Sequence, residues 1–176
     1  MRTAAWVLLC LLAGSGYAAG AQTAASPAAA SVAAGIVVTG LSGRPAVVTG
    51  EALARLPAVR VSISFQTEHG PRHGLFAGPL LWTVLAHAGA IDPSNPRLAV
   101  HEVVLVTGSD GYTAALGLGE IAPAFEGKQV ILAEAMDGQR LGAGHLRIVV
   151  PGDRYGGRAV RDVVRIAVVE PAPPEH

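Results

Sequence analysis

The run Val130-Ile131-Leu132-Ala133-Glu134-Ala135-Met136-Asp137-Gly138-Gln139-Arg140-Leu141, resumed by Leu146-Arg147-Ile148-Val149-Val150-Pro151-Gly152, reads as strand, turn and strand. Residues 130–134 and 146–150 are short apolar runs, and the Asp137-Gly138 pair suits a tight turn. Pro151 ends the second run because it has no N–H to give to a ladder. Residues 163–169 predict a last strand, so the C-terminal third is a set of short strands with one polar insertion.

The same pattern continues towards the N-terminus. Residues 36–39 and 46–48 are β-branched and flanked by Gly40, Gly43, Pro45 and Gly50, which predicts a hairpin. Residues 50–56 place Leu53 and Leu56 three apart, a short helix stopped before Pro57. Over residues 59–65, Val59, Val61, Ile63 and Phe65 alternate with Arg60, Ser62 and Ser64, which predicts a half-buried strand, and residues 66–74 then read as a polar loop. A helix is predicted over residues 79–89, with Pro79 at its start and Gly89 as its stop. On it His87 is expected to be a partly buried imidazole without a ligand role. Strands over 102–107 and 112–116 are joined through Ser109-Asp110-Gly111, and residues 118–121 form a helical turn. Many short strands with few short helices predict an α+β, mainly β domain rather than a doubly wound sheet.

Met1 and Arg2, an apolar run over 4–12 and the small residues Ala19-Gly20-Ala21 have the three-zone order of a secretory signal peptide. The run is shorter than the ~20 residues that span a bilayer, so cleavage is expected rather than a membrane anchor. Cys10 follows Leu9 inside the apolar run, which argues against a lipoprotein acylation site. Residues 1–21 are thus read as the signal, 22–34 as a linker of Ala, Ser, Thr, Gln and Pro, 35–170 as one domain and 171–176 as a loose tail. The location expected is periplasmic or secreted.

With Arg2 removed, 12 of the 13 basic residues remain against 13 acidic ones, which gives no bulk charge for nucleic acid or an acidic membrane. Cys10 is the single cysteine, so residues 11–176 have no disulfide, thiolate ligand or cysteine nucleophile. There is no Walker loop and no Gly-x-Ser-x-Gly elbow.

Two polar groups stand out. In residues 151–162, Arg154, Arg158 and Arg161 lie among Gly152, Gly156 and Gly157, with Arg147 and Arg165 on either side. Guanidinium forks and close-approaching backbone N–H groups suit a phosphate. Equally, the loop is solvated and its arginines pair with Asp153 and Asp162. The second group is Glu68-His69-Gly70-Pro71-Arg72-His73, a carboxylate with two imidazoles of the kind that hold zinc or copper. Gly70-Pro71 prevents helical spacing between its histidines, and no third ligand is fixed.

Residues 132–141 and 146–152 together resemble the ending of the sulfite-oxidase-type molybdopterin-binding domain, in which an Asn/Asp-Gly-x-x-Leu run and a Leu-Arg-x-x-Val-Pro-Gly run precede a basic loop and a closing strand. Phe76-Ala77-Gly78-Pro79-Leu80-Leu81-Trp82-Thr83-Val84-Leu85 is similar to that family's x-Gly-x-x-Leu-x-x-Leu-Leu helix start, and Ser109-Asp110-Gly111-Tyr112 to its later turn and strand. The resemblance covers about residues 36–169. It implies a compact α+β fold, a molybdopterin cofactor and phosphate held by Arg158 and Arg161, with Arg154 beside them and His69 and Glu68 lining the metal side. The family also holds molybdenum through a cysteine. Here the expected position, near the end of the strand over 59–65, reads Phe65-Gln66-Thr67-Glu68-His69, and Ala143-Gly144-His145 replaces the family's His-Gly-x-Pro element.

Three functional classes follow. One is a molybdopterin-dependent oxidoreductase, or a cofactor-binding relative without the chemistry, in which the cofactor supplies the redox step and the protein orientation and anion binding. The second is a non-enzymatic module whose groove takes a small anion or a redox or periplasmic protein partner. The third is a transition-metal carrier built on His69, His73 and His145 or His101. No nucleic-acid partner, metal ligand set or catalytic residue is assigned.

Overall fold

The structure is a computed structural model, and it describes residues 35–67 and 70–171. The segments expected to be signal peptide and linker, nearly all of the expected tail, Glu68 and His69 lie outside the described residues. Among those described, no helix is long and apolar enough to cross a membrane.

In chain order the strands are β1 (Ile36–Thr39), β2 (Pro45–Val48), β3 (Ala58–Thr67), β4 (Gly70–Pro79), β5 (Val103–Gly108), β6 (Thr113–Gly117), β7 (Ile131–Ala133), β8 (Ala135–Met136), β9 (Gln139–Arg140), β10 (Arg147–Val149) and β11 (Val163–Val169). The α-helices are α1 (Gly50–Ala54), α2 (Leu81–His87) and α3 (Leu118–Ile121), with 3-10 turns at Pro96–Val100 and Gly156–Arg158. A five-stranded sheet runs β2-β1-β11-β5-β6, a four-stranded one β3-β4-β8-β9, and β7 pairs with β10 between them. The domain is α+β and mainly β, as its strand-rich sequence predicts.

β11 is the central strand of the large sheet, parallel to β1 and antiparallel to β5. Its register shifts between Val163 and Arg165, just after Asp162 at φ 48°. That bulge changes the phase of the pleat, so Val163 as well as Ile166 and Val168 point inward. The main core joins this face to Leu81, Val84 and Leu85 of α2 and to Leu132 and Ile148. A smaller core holds Val61, Ile63 and Phe76 with Ile131, Ala133 and Val149. The β7–β10 ladder therefore sends neighbouring residues into opposite cores, which is why its residues other than Arg147 are all apolar instead of alternating.

Of the polar loop expected over residues 66–74, the described residues 66–67 and 70–74 are strand. β3 and β4 pair from Ala58↔Pro79 to Thr67↔Gly70, and the polar residues Ser62, Ser64, Gln66 and His73 occupy the exposed face of this hairpin. Alternation stopped being visible where both strands became polar, although the backbone ladder needs no apolar side chain to continue. The expected helix over 79–89 is shorter for a related reason. Pro79 ends β4 opposite Ala58, and α2 begins at Leu81 and is followed by Gly89 at φ 66°. His87 is exposed at the end of α2, not partly buried, because Leu81, Val84 and Leu85 define the inward stripe.

Gly78 shows how closely β4 approaches β7. A Cβ there would lie 2.1 Å from the Leu132 carbonyl oxygen and 2.8 Å from Ala133 Cα. Both are backbone atoms of a fully buried strand, so Gly78→Ala is expected to destabilise by ~3 kcal/mol or more in urea titrations, since the strand cannot move aside. Gly152→Ala, at φ 86° but in open space, should lose only about 1 kcal/mol.

Candidate functional site

The loop between β10 and β11 starts at Pro151 and folds back on β10, where Ile148 N–H donates to the Val160 carbonyl at 2.9 Å. Its far end is fixed by Ser109 N–H donating to the Asp162 carbonyl at 2.9 Å and by the Tyr112 hydroxyl donating to the Gly157 carbonyl at 2.6 Å. In its middle, Gln66 N–H donates to the Arg154 carbonyl at 2.9 Å, and Gln66 bridges Tyr155 in parallel register. The end of β3 and the basic loop, read separately in the sequence, are therefore one surface. Beneath it Ile63, Val150, Asp153, Tyr155, Gly156 and Ala159 line a cavity of only about 10 Å³.

The three loop arginines have different surroundings. Arg158 is half-buried and committed: Nε and Nη2 donate to Asp153 at 3.0 and 2.6 Å, and Nη1 donates to Glu120 at 3.1 and 3.2 Å. Lys128 Nζ donates to the same Glu120 at 3.2 Å and pairs with Glu126 at 3.2 Å. The Asp153 hydrogen bonds raise the Arg158 pKa against the effect of burial, and Glu120 adds to the rise. Burial alone would raise the Glu120 pKa, but the hydrogen bonds and charges of Lys128 and Arg158 outweigh it and hold it low. Pairing with Asp153, one of the two readings of the loop, is thus realised at Arg158. Asp162 pairs with an imidazole instead, 2.8 Å from His145 Nδ1.

Arg154 and Arg161 are exposed and make no ion pair with a described residue. Arg147, given no site role from the sequence, is half-buried on β10 with its guanidinium carbon 5.7 Å from the centroid of the Phe76 ring. Burial and then the neighbouring Arg161 charge lower its pKa, against the opposing pull of Asp162. Arg147 and Arg161 therefore form a cationic doublet beside the loop, the arrangement in which an anion relieves repulsion. The Leu146-Arg147 dipeptide was visible in the sequence, but only the antiparallel return of the loop brings Arg161 to it.

Glu68 and His69 lie outside the described residues, so their place at this surface is not defined. His73 is exposed on β4, His101 precedes β5 and His145 faces Asp162. Among the described residues no group of three or more His, Cys, Asp or Glu is arranged to hold a metal ion.

A family model described as oxidoreductase molybdopterin binding domain matches residues 33–176. Among solved structures, the chain is similar to the sulfane dehydrogenase SoxCD from Paracoccus pantotrophus, with a TM-score of 0.61 and 20% identity. That match covers 78% of this chain and 38% of the other, so the chain spans well under half of that protein's length. No curated protein matches the chain.

The ion-pair network makes Arg158 a holder of the loop. Arg158→Ala is expected to cost about 1–3 kcal/mol at neutral pH, the range for charge-assisted hydrogen bonds in a partly exposed setting. Because the Glu120 pKa is lowered in the folded state, its contribution is present above the ordinary carboxylate range and is lost as pH falls through the lowered pKa. Thermal melts of both proteins from pH 7 to pH 3 should thus converge at the acid end.

Proposed function

The chain belongs to the oxidoreductase molybdopterin-binding domain family, and we propose that it is an exported cofactor-binding or anion-binding member that works without a protein thiolate on the metal. The observation that carries this reading is the Arg147–Arg161 doublet, offset only in part by Asp162, beside a loop that is pinned to the end of β3.

The fit to the family's cofactor is divided. On the anion side, Arg161 is exposed, and Arg147 is stiffened by Phe76, so two forks are available for a phosphate or another oxyanion. Arg154 is a second exposed cation on the same loop. On the metal side the match fails. Phe65, Gln66 and Thr67 stand where β3 meets the loop, and residues 11–176 contain no cysteine. An amide or hydroxyl does not replace a soft anionic sulfur. The cofactor, where bound, supplies redox chemistry of its own, and no step of sulfite oxidation is assigned to this chain. What the residues do is hold an anion in place, and residues 1–21 support delivery to the periplasm or the medium.

The test is to produce the full chain in a host that makes molybdopterin, then to measure bound pterin by fluorescence after oxidation and molybdenum by elemental analysis. Retained pterin without sulfite-dependent reduction of an electron acceptor is expected. Arg161→Glu should lower pterin occupancy at least ten-fold with the melting temperature unchanged, because Arg161 is exposed and holds no described partner. Absence of both pterin and molybdenum would overturn cofactor binding, and loss of phosphate binding by the same substitution would then mark the doublet as a site for a small anion.

A further inference from the structure

At the opposite margin of the large sheet from the β10–β11 loop's pinned end lies an open cleft of about 440 Å³, whose lining includes Val100, Glu102, Glu120, Phe125, Glu126 and Pro171. Four features of it point the same way. Glu102 is 6% exposed, and no described residue donates a hydrogen bond or forms an ion pair to its carboxyl. The pairing Val103↔Val169 places Glu102 opposite Glu170, a second carboxylate where a cation would be favourable. Lys128, the single lysine of the chain, is already shared between Glu120 and Glu126. Finally, the cleft wall is apolar, with Phe125 and Val100 about half exposed.

We infer that this cleft is a second ligand site, which takes an organic cation: an ammonium or guanidinium head against Glu102, with an apolar stem along Phe125 and Val100. The Glu102 side chain is largely withdrawn from water while its carboxyl opens on the cleft, so it carries a desolvation cost that a proton or a cation relieves. Burial and then the Glu170 charge raise the Glu102 pKa, as expected where a nearby positive charge would be favourable. A metal ion suits the cleft poorly, because no group of three or more metal-ligating side chains is arranged for one among the described residues. A stem of several carbons, by contrast, would cover the two exposed apolar side chains while its head reached the carboxyl. The inference is independent of the anion site, since Glu120 is the one residue common to both surroundings and its charge is already matched by Lys128 and Arg158.

Calorimetric titration of the full chain with n-hexylammonium tests it, with n-hexanol and hexanoate as controls. Binding of hexylammonium alone is expected, weakened at least ten-fold by Glu102→Gln and several-fold by Phe125→Ala. Glu102→Gln should fold at least as stably as the parent without ligand, because it removes repulsion with Glu170, and hexylammonium should raise the melting temperature of the parent only. A capped lysine peptide distinguishes the source: binding of both probes points to a partner's side chain, and binding of hexylammonium alone to a small amine. No binding at millimolar hexylammonium, or equal affinity in Glu102→Gln, would overturn the inference.

Discussion

The β7–β10 ladder is the constraint on which the rest of the domain depends. Two strands of three residues, paired Arg147↔Ala133, Ile148↔Leu132 and Val149↔Ile131, separate two hydrophobic cores. Isolated, such a ladder would be far too short to persist. Here it is covered on both faces, so every side chain except Arg147 is fully buried. The same buried ladder sets the start of the basic loop, because Val150 follows it into the main core and the chain can reach solvent only at Pro151. It also sets the close approach of β4, which is why Gly78 has no room for a side chain.

Much of this was legible from residue pattern alone. β11 has the residues predicted for it, and the hairpin of β1 and β2, the turns at Asp137-Gly138 and Ser109-Asp110-Gly111 and the helical turn at Leu118–Ile121 lie where turn chemistry and short apolar runs put them. Local signals of this kind act within a few residues. The parallel pairing of β1 with β11 left no such signal, since it joins segments more than a hundred positions apart. The length of the β3–β4 hairpin was hidden for a different reason: its outer half is polar on the exposed face, and apolar alternation is the only part of a strand that composition shows.

The site was legible by composition and not by role. Residues 151–162 stand out as the basic segment, yet Arg158, one of the two arginines that the resemblance makes phosphate ligands, is the one most fully occupied by carboxylates. Its partner Glu120 comes from α3, and nothing in the spacing of positions 120 and 158 foretells their contact. Arg147 carries no local signal of a site, because it is a single charge within an apolar run. Its position over Phe76 and next to Arg161 depends on three elements meeting.

Glu120 connects the two charged regions of the molecule. By accepting from Lys128 and Arg158 together, it withdraws the chain's single lysine and its best-placed loop arginine from other duties. On one side Arg147 and Arg161 lie near each other with only Asp162 in partial offset, and on the other Glu102 and Glu170 face each other with no ion pair to a described residue. A chain with 13 basic and 13 acidic residues can in this way carry a local excess of each sign at different places while its central ion pairs are satisfied internally. Local imbalance of this kind, rather than net charge, decides what the domain attracts.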